Sequence, residues 1–198
     1  MQLFLICNVL YFLMQPWSAA APFTSTLSMQ TTMRSWSALA SRMVARTIDA
    51  RHVAPEEYAR RFDETAHLQG KTLVIIMVPI FALGVRALYR RKGFYAEHLV
   101  FAFYTYAFML LWMGVSTIIM KQPIISAIDH GWSGNLIENL VSTFIAAPFA
   151  LYLLAAVRRV YAESRAVTLF KTALLSAWAV GVLTIYRFIL FFTTFYAT

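Results

Sequence analysis

The stretch KTLVIIMVPIFALGVRALYRRKG, residues 71–93, constrains this chain more than any other. Its apolar run is too long for the surface of a small soluble domain, and it stops abruptly at Arg90, Arg91 and Lys92. A helix rises 1.5 Å per residue, so roughly 20 apolar residues cross the hydrocarbon of a bilayer. Runs of this kind recur, and spans are expected at about 1–17, 72–91, 97–120, 136–157 and 166–196. Composition agrees: 60% of the 198 residues are hydrophobic and 13% are charged, against about 25% charged in a soluble domain. The expected fold is an all-α polytopic membrane helix bundle of about five transmembrane helices, forming one membrane domain over 1–198. The first run, Met1 to Trp17, is short and meets Pro16, which ends or kinks a helix. It is read as a retained span rather than a signal peptide, because no Lys or Arg precedes its apolar core.

Residues 24–70 form the one extended polar region. In TTMRSWSALASRMVARTIDA, the residues Met33, Trp36, Ala40, Met43, Val44 and Ile48 share one helical face. Such a helix can lie in the membrane interface or pack on other helices; the pattern leaves both open. A second helix is expected to begin at APEEYARRFDETAH. Pro55 suits its first position, and Glu56 and Glu57 complement the positive end of the helix dipole.

The chain carries 17 Lys+Arg against 9 Asp+Glu, a net charge of +8. With no hydrophilic domain to present them, these cations do not point to nucleic acid. They read instead as orientation signals. Arg86, Arg90, Arg91 and Lys92 lie between the second and third spans, and Arg158, Arg159, Arg165 and Lys171 between the fourth and fifth. Basic short loops stay in the cytoplasm. That sets the N-terminus inside, with residues 24–70 and the C-terminus outside, in a bacterial inner membrane.

Few residues suggest chemistry. Glu97 and His98 open the third span, followed by Tyr104 and Tyr106. Adjacent residues on a helix point about 100° apart, so Glu97 and His98 do not readily share one metal. Glu97 at a helix start is favoured by the dipole, and it can also reach Arg90 or Arg91. Glu138, after the capping residues Ser133 and Asn135, and Arg187, about 30 Å along the last helix, are expected to pair near the outer boundary. A charge within a span is a functional candidate by default. The single cysteine, Cys7, supports no internal disulfide or zinc ribbon. No catalytic motif, metal site or cofactor is indicated.

The segment VPIFALGVRALYRRKGFYAEHLVFAFYTYAF, residues 78–108, resembles the domain-of-unknown-function family numbered 3667, bacterial multi-spanning membrane proteins. The likeness rests on Pro79, Phe81-Ala82, the basic turn, the Glu97 to Ala102 stretch EHLVFA, and Ala107-Phe108. Where that family has His-x-His this chain has Tyr104-Thr105-Tyr106, and it lacks the family's zinc ribbon. The resemblance implies a membrane protein and no reaction.

The leading expectation is an integral membrane subunit without catalysis, whose partners are membrane lipids and other membrane protein subunits. The alternative is a small membrane enzyme or transporter that gathers Glu97, His98, Tyr104 and Arg187 in one polar cavity. Orientation is directly testable. With Cys7 replaced, cysteines introduced beside Arg91 and Arg159 are expected to be shielded from an impermeant thiol reagent in intact cells, while one beside His130 reacts. The reverse labelling pattern inverts the topology.

Overall fold

The computed structural model describes residues 2–14, 26–32 and 36–198; the side chains of Asn135 and Glu138 lie outside that description. Pro16, Met33 and Arg34 therefore also fall outside the described residues. Among the described residues, seven helices follow in order: α1 (Gln2–Met14), α2 (Leu27–Thr32), α3 (Ser37–Arg51), α4 (Pro55–Leu88), α5 (Tyr95–Asp129), α6 (Gly134–Tyr161) and α7 (Arg165–Ala197). Among the described residues there is no strand, and the fold is an all-α helix bundle.

Helices α4 to α7 are long and apolar enough to cross a membrane. Helix α1 is apolar but only 13 residues long, about 20 Å at 1.5 Å per residue. Among the described residues, four helices thus reach crossing length. Two boundaries also differ from the sequence expectation. The helix that starts at Pro55 does not stop before the span but runs unbroken to Leu88. Helix α5 continues through Pro123 to Asp129. Neither charged residues nor a single proline suffices to end a helix whose neighbours hold it.

Packing gathers the chain into two compact units. One joins α1 to Val78–Gly181. Here α1 lies along α5, with Phe4 edge-on to Phe103 at 5.4 Å. Phe108 of α5 stacks on Tyr152 of α6 at 3.9 Å, and Trp112 Nε1 donates to the Ile145 carbonyl at 3.2 Å. Trp178 of α7 donates from Nε1 to the Ile80 carbonyl of α4, also at 3.2 Å. Gly84 makes this approach possible: a Cβ there would collide with the Trp178 indole.

The other unit joins α2 and α3 to the start of α4, up to Met77, and to Val182–Thr198. Its core holds Leu27, Ala40, Val44, Tyr58, Phe62, Ala66 and Phe191, with Trp36, Met43 and Ile48 packed against them. The apolar face of α3 is therefore spent on this protein's own helices, which resolves the choice the pattern left open. Several polar groups inside the unit bond one another. Fully buried Gln30 accepts from Trp36 Nε1 at 3.0 Å and donates to the Arg187 carbonyl at 3.4 Å. Asp63 accepts from the Leu27 amide at 2.7 Å, and Tyr186 Oη donates to the Gly70 carbonyl at 2.9 Å.

Gly84→Ala tests the α4–α7 contact. In an open helix the change gains about 0.5–1 kcal/mol, whereas overpacking costs about 1–3 kcal/mol. The second effect is expected to win, lowering the thermal unfolding midpoint in detergent. Trp178→Ala made together with it is expected to abolish the further loss. An equal effect of Gly84→Ala in both backgrounds would mean the indole is not what Gly84 accommodates.

Candidate functional site

The polar side chains converge where two short turns meet. Helix α4 ends at Leu88, and residues 89–94 reverse the chain through Gly93, whose φ of 94° lies in the left-handed region. A side chain at Gly93 would also strike the Glu97 carboxylate. Glu97 Oε2 accepts from the Phe94 amide at 3.2 Å and so satisfies one of the orphan donors that open α5. Helix α6 ends at Tyr161, and Ala162 takes a left-handed φ of 47° while its amide donates to the Arg158 carbonyl. Three residues later α7 begins.

Lys92 from the first turn donates to the Tyr161 carbonyl at 2.7 Å. Glu163 from the second turn joins Lys92 at 3.3 Å and Lys171 of α7 at 2.9 Å. An aromatic stack supports this clamp. Tyr89 lies on Tyr161 with ring centroids 3.7 Å apart and planes within 9°, and the Lys171 ammonium sits 4.2 Å from the Tyr89 ring centre. On the far side, Tyr161 Oη lies 2.8 Å from His98 Nδ1. Four helix ends are thereby tied together: the close of α4, the start of α5, the close of α6 and the start of α7.

Charge sets the protonation states. The Lys171 hydrogen bond, with Lys92 beside it, holds the Glu163 carboxyl below its ordinary range against the opposing effect of burial. Burial, together with the Glu163 charge, pushes the Tyr89 phenol up to about 12. Tyr89 is thus a neutral phenol near neutral pH, suited to stacking and not to base catalysis or metal binding.

Glu97, His98, Tyr104 and Tyr106 do not face one site. Glu97 is exposed and caps α5, whereas His98 is 1% exposed and turned to Tyr161; the 100° step between neighbours separates them. Glu97 pairs with neither Arg90 nor Arg91 among the described ion pairs. Tyr104 and Tyr106, two residues apart, face nearly opposite ways. Tyr104 is exposed beside Glu97 and Arg159 in a groove of about 790 Å³ between α5 and α6. Tyr106 is buried against Phe81. The Glu138 side chain lies outside the described residues, and Arg187 belongs to the other unit, where its carbonyl accepts from Gln30. Among the described residues, no three of His, Cys, Asp and Glu cluster as metal ligands would.

Sequence reasoning passed over the residue at the centre of the clamp, Glu163. Its signal was present: it is the one acid in YAESRAVTLFK, a segment otherwise flanked only by cations. No protein-family model, curated protein or solved structure matches this chain.

Glu163→Gln is expected to lower stability at neutral pH by roughly 1.5–3 kcal/mol, the usual worth of hydrogen bonds to a charged group. Because the folded protein holds this carboxyl below its ordinary value of 4.5, the contribution is complete above that value. It fades as pH falls towards the folded value. Thermal melts of both proteins across pH are expected to differ at pH 7 and to converge in acid. A difference that persists undiminished at low pH would remove the ionic explanation.

Proposed function

We propose that this protein is a non-catalytic integral membrane subunit that packs against other membrane proteins through α6. The observation that carries this reading is the sparse burial of that helix. Only 11% of its most apolar window is buried within the protein, against 50% for α5. Lipid can cover such a face, but the residues on it favour another helix. Thr143, Ala146 and Ala147 are exposed, and with Ala150 they recur three or four residues apart. Small residues at this spacing let two helix backbones approach closely in a bilayer, where van der Waals contact replaces the missing hydrophobic drive.

Enzymatic or transport chemistry has less to build on. Glu97, Tyr104 and Arg159 share a groove, but His98 is directed to Tyr161. The proposal includes the orientation read from charge: basic turns in the cytoplasm of a bacterial inner membrane, with residues 24–70 and the C-terminus outside. The contact between Lys92 and Glu163 supports it, since both basic turns then lie on one side. Kinship with the family of unknown function named above is part of the same proposal and rests on residues 78–108.

A photo-crosslinking residue placed at Ala146 or Thr143 in intact membranes is expected to yield discrete protein adducts. The same probe at Phe94, which is exposed on the turn, is expected to yield none of the same mass. Exclusive lipid adducts at Thr143 and Ala146, with a solitary monomer in mild detergent, would overturn the subunit reading.

A further inference from the structure

A basic cleft and an apolar groove run into each other between α4 and α7. The cleft, about 290 Å³, is lined by Tyr89, Arg90, Arg91, Lys92, Glu163 and Lys171. Four cations against one carboxylate leave three positive charges there. Glu163 engages Lys92 and Lys171, while Arg90 and Arg91 are exposed and make no ion pair among the described residues. The groove, about 400 Å³, is lined by Ile80, Leu83, Gly84, Leu174 and Trp178. Ala87 and Leu88 line both, so the two are continuous.

We propose that this paired cleft and groove bind one anionic phospholipid. Its phosphate is held by Arg90, Arg91 and Lys92, and an acyl chain lies in the groove between Leu83 and Trp178. The dimensions suit this occupant. Lys171 marks the level of the phosphate and Trp178 stands seven residues deeper on α7, about 10 Å into the membrane. The groove follows the helices down from the charged turn, as an acyl chain follows its headgroup. Gly84 gives the groove its floor, since the Trp178 indole rests over the place where a side chain would otherwise stand. The cations sit just past the end of an apolar span, at headgroup depth, where lysine and arginine attract acidic lipid. A soluble phosphate would use only the cleft and would leave the groove unfilled. The inference does not depend on α6 or on its partner.

The test is native mass spectrometry of the intact protein released from nanodiscs of equimolar phosphatidylglycerol and phosphatidylcholine. Wild-type protein is expected to retain one phosphatidylglycerol preferentially. Arg90→Gln with Arg91→Gln, both at exposed positions, is expected to weaken that retention roughly thirtyfold. Ala87→Trp, which fills the junction from an exposed position, is expected to remove retention of the lipid while leaving the helical circular dichroism unchanged. Equal retention of the two lipids by wild-type protein would overturn the proposal, as would unchanged retention by the arginine variant. Full displacement by soluble glycerol phosphate would assign the cleft to a free phosphate ester instead, and would likewise overturn it.

Discussion

Backbone amides and carbonyls in hydrocarbon have no water to bond, so each must be satisfied within the protein. That constraint makes every described apolar run of this chain a helix, and it makes the three helix-interior prolines the points of risk. Pro79, Pro123 and Pro148 each remove one donor and leave the carbonyl four residues earlier without its helical partner. Around two of them the structure supplies polar tips from neighbouring helices. Trp178 donates to the carbonyl of Ile80 and Tyr95 to that of Pro79 itself. Trp112 donates to Ile145, three residues before Pro148. These contacts reach carbonyls close to the two prolines rather than the freed carbonyls of Ile75 and Phe144, and they anchor one helix to the next.

A second consequence of low polarity is that ionic groups collect at helix ends. The Glu163 clamp lies at one such end. A carboxylate with 16% side-chain exposure is tolerable because two ammonium groups share one of its oxygens, and unpaired burial of the same charge would be costly. The aromatic pair Tyr89 and Tyr161 shields the clamp on one side and passes its position to His98 through a hydroxyl contact. The arrangement is mechanical in character: it fixes two turns against each other, and through them the spacing of four helices.

Much of the fold was legible in the sequence because hydropathy and helix period act locally. The start of α4 at Pro55 and the cap of α6 at Ser133 were readable from capping chemistry. The union of the polar helix at Pro55 with the following span was not, because charge marks solvent exposure and carries no instruction to stop a helix. Gly70, where the polar region ends, stays helical with Tyr186 bonded to its carbonyl from a distant part of the chain. The site was less legible for a similar reason. Glu97 and His98 are neighbours in sequence and diverge on the helix. Lys92 is far in sequence from Glu163 and Lys171, and only the meeting of two turns joins it to them. Cations in loops carry an orientation message that hides any pairwise role.

Ala162 bears on how the molecule is assembled. Three residues, the first of them left-handed, connect α6 to α7. So tight a reversal makes the two helices a hairpin, with both apolar arms leaving one charged turn. The translocation machinery can then treat the pair as a single hydrophobic unit.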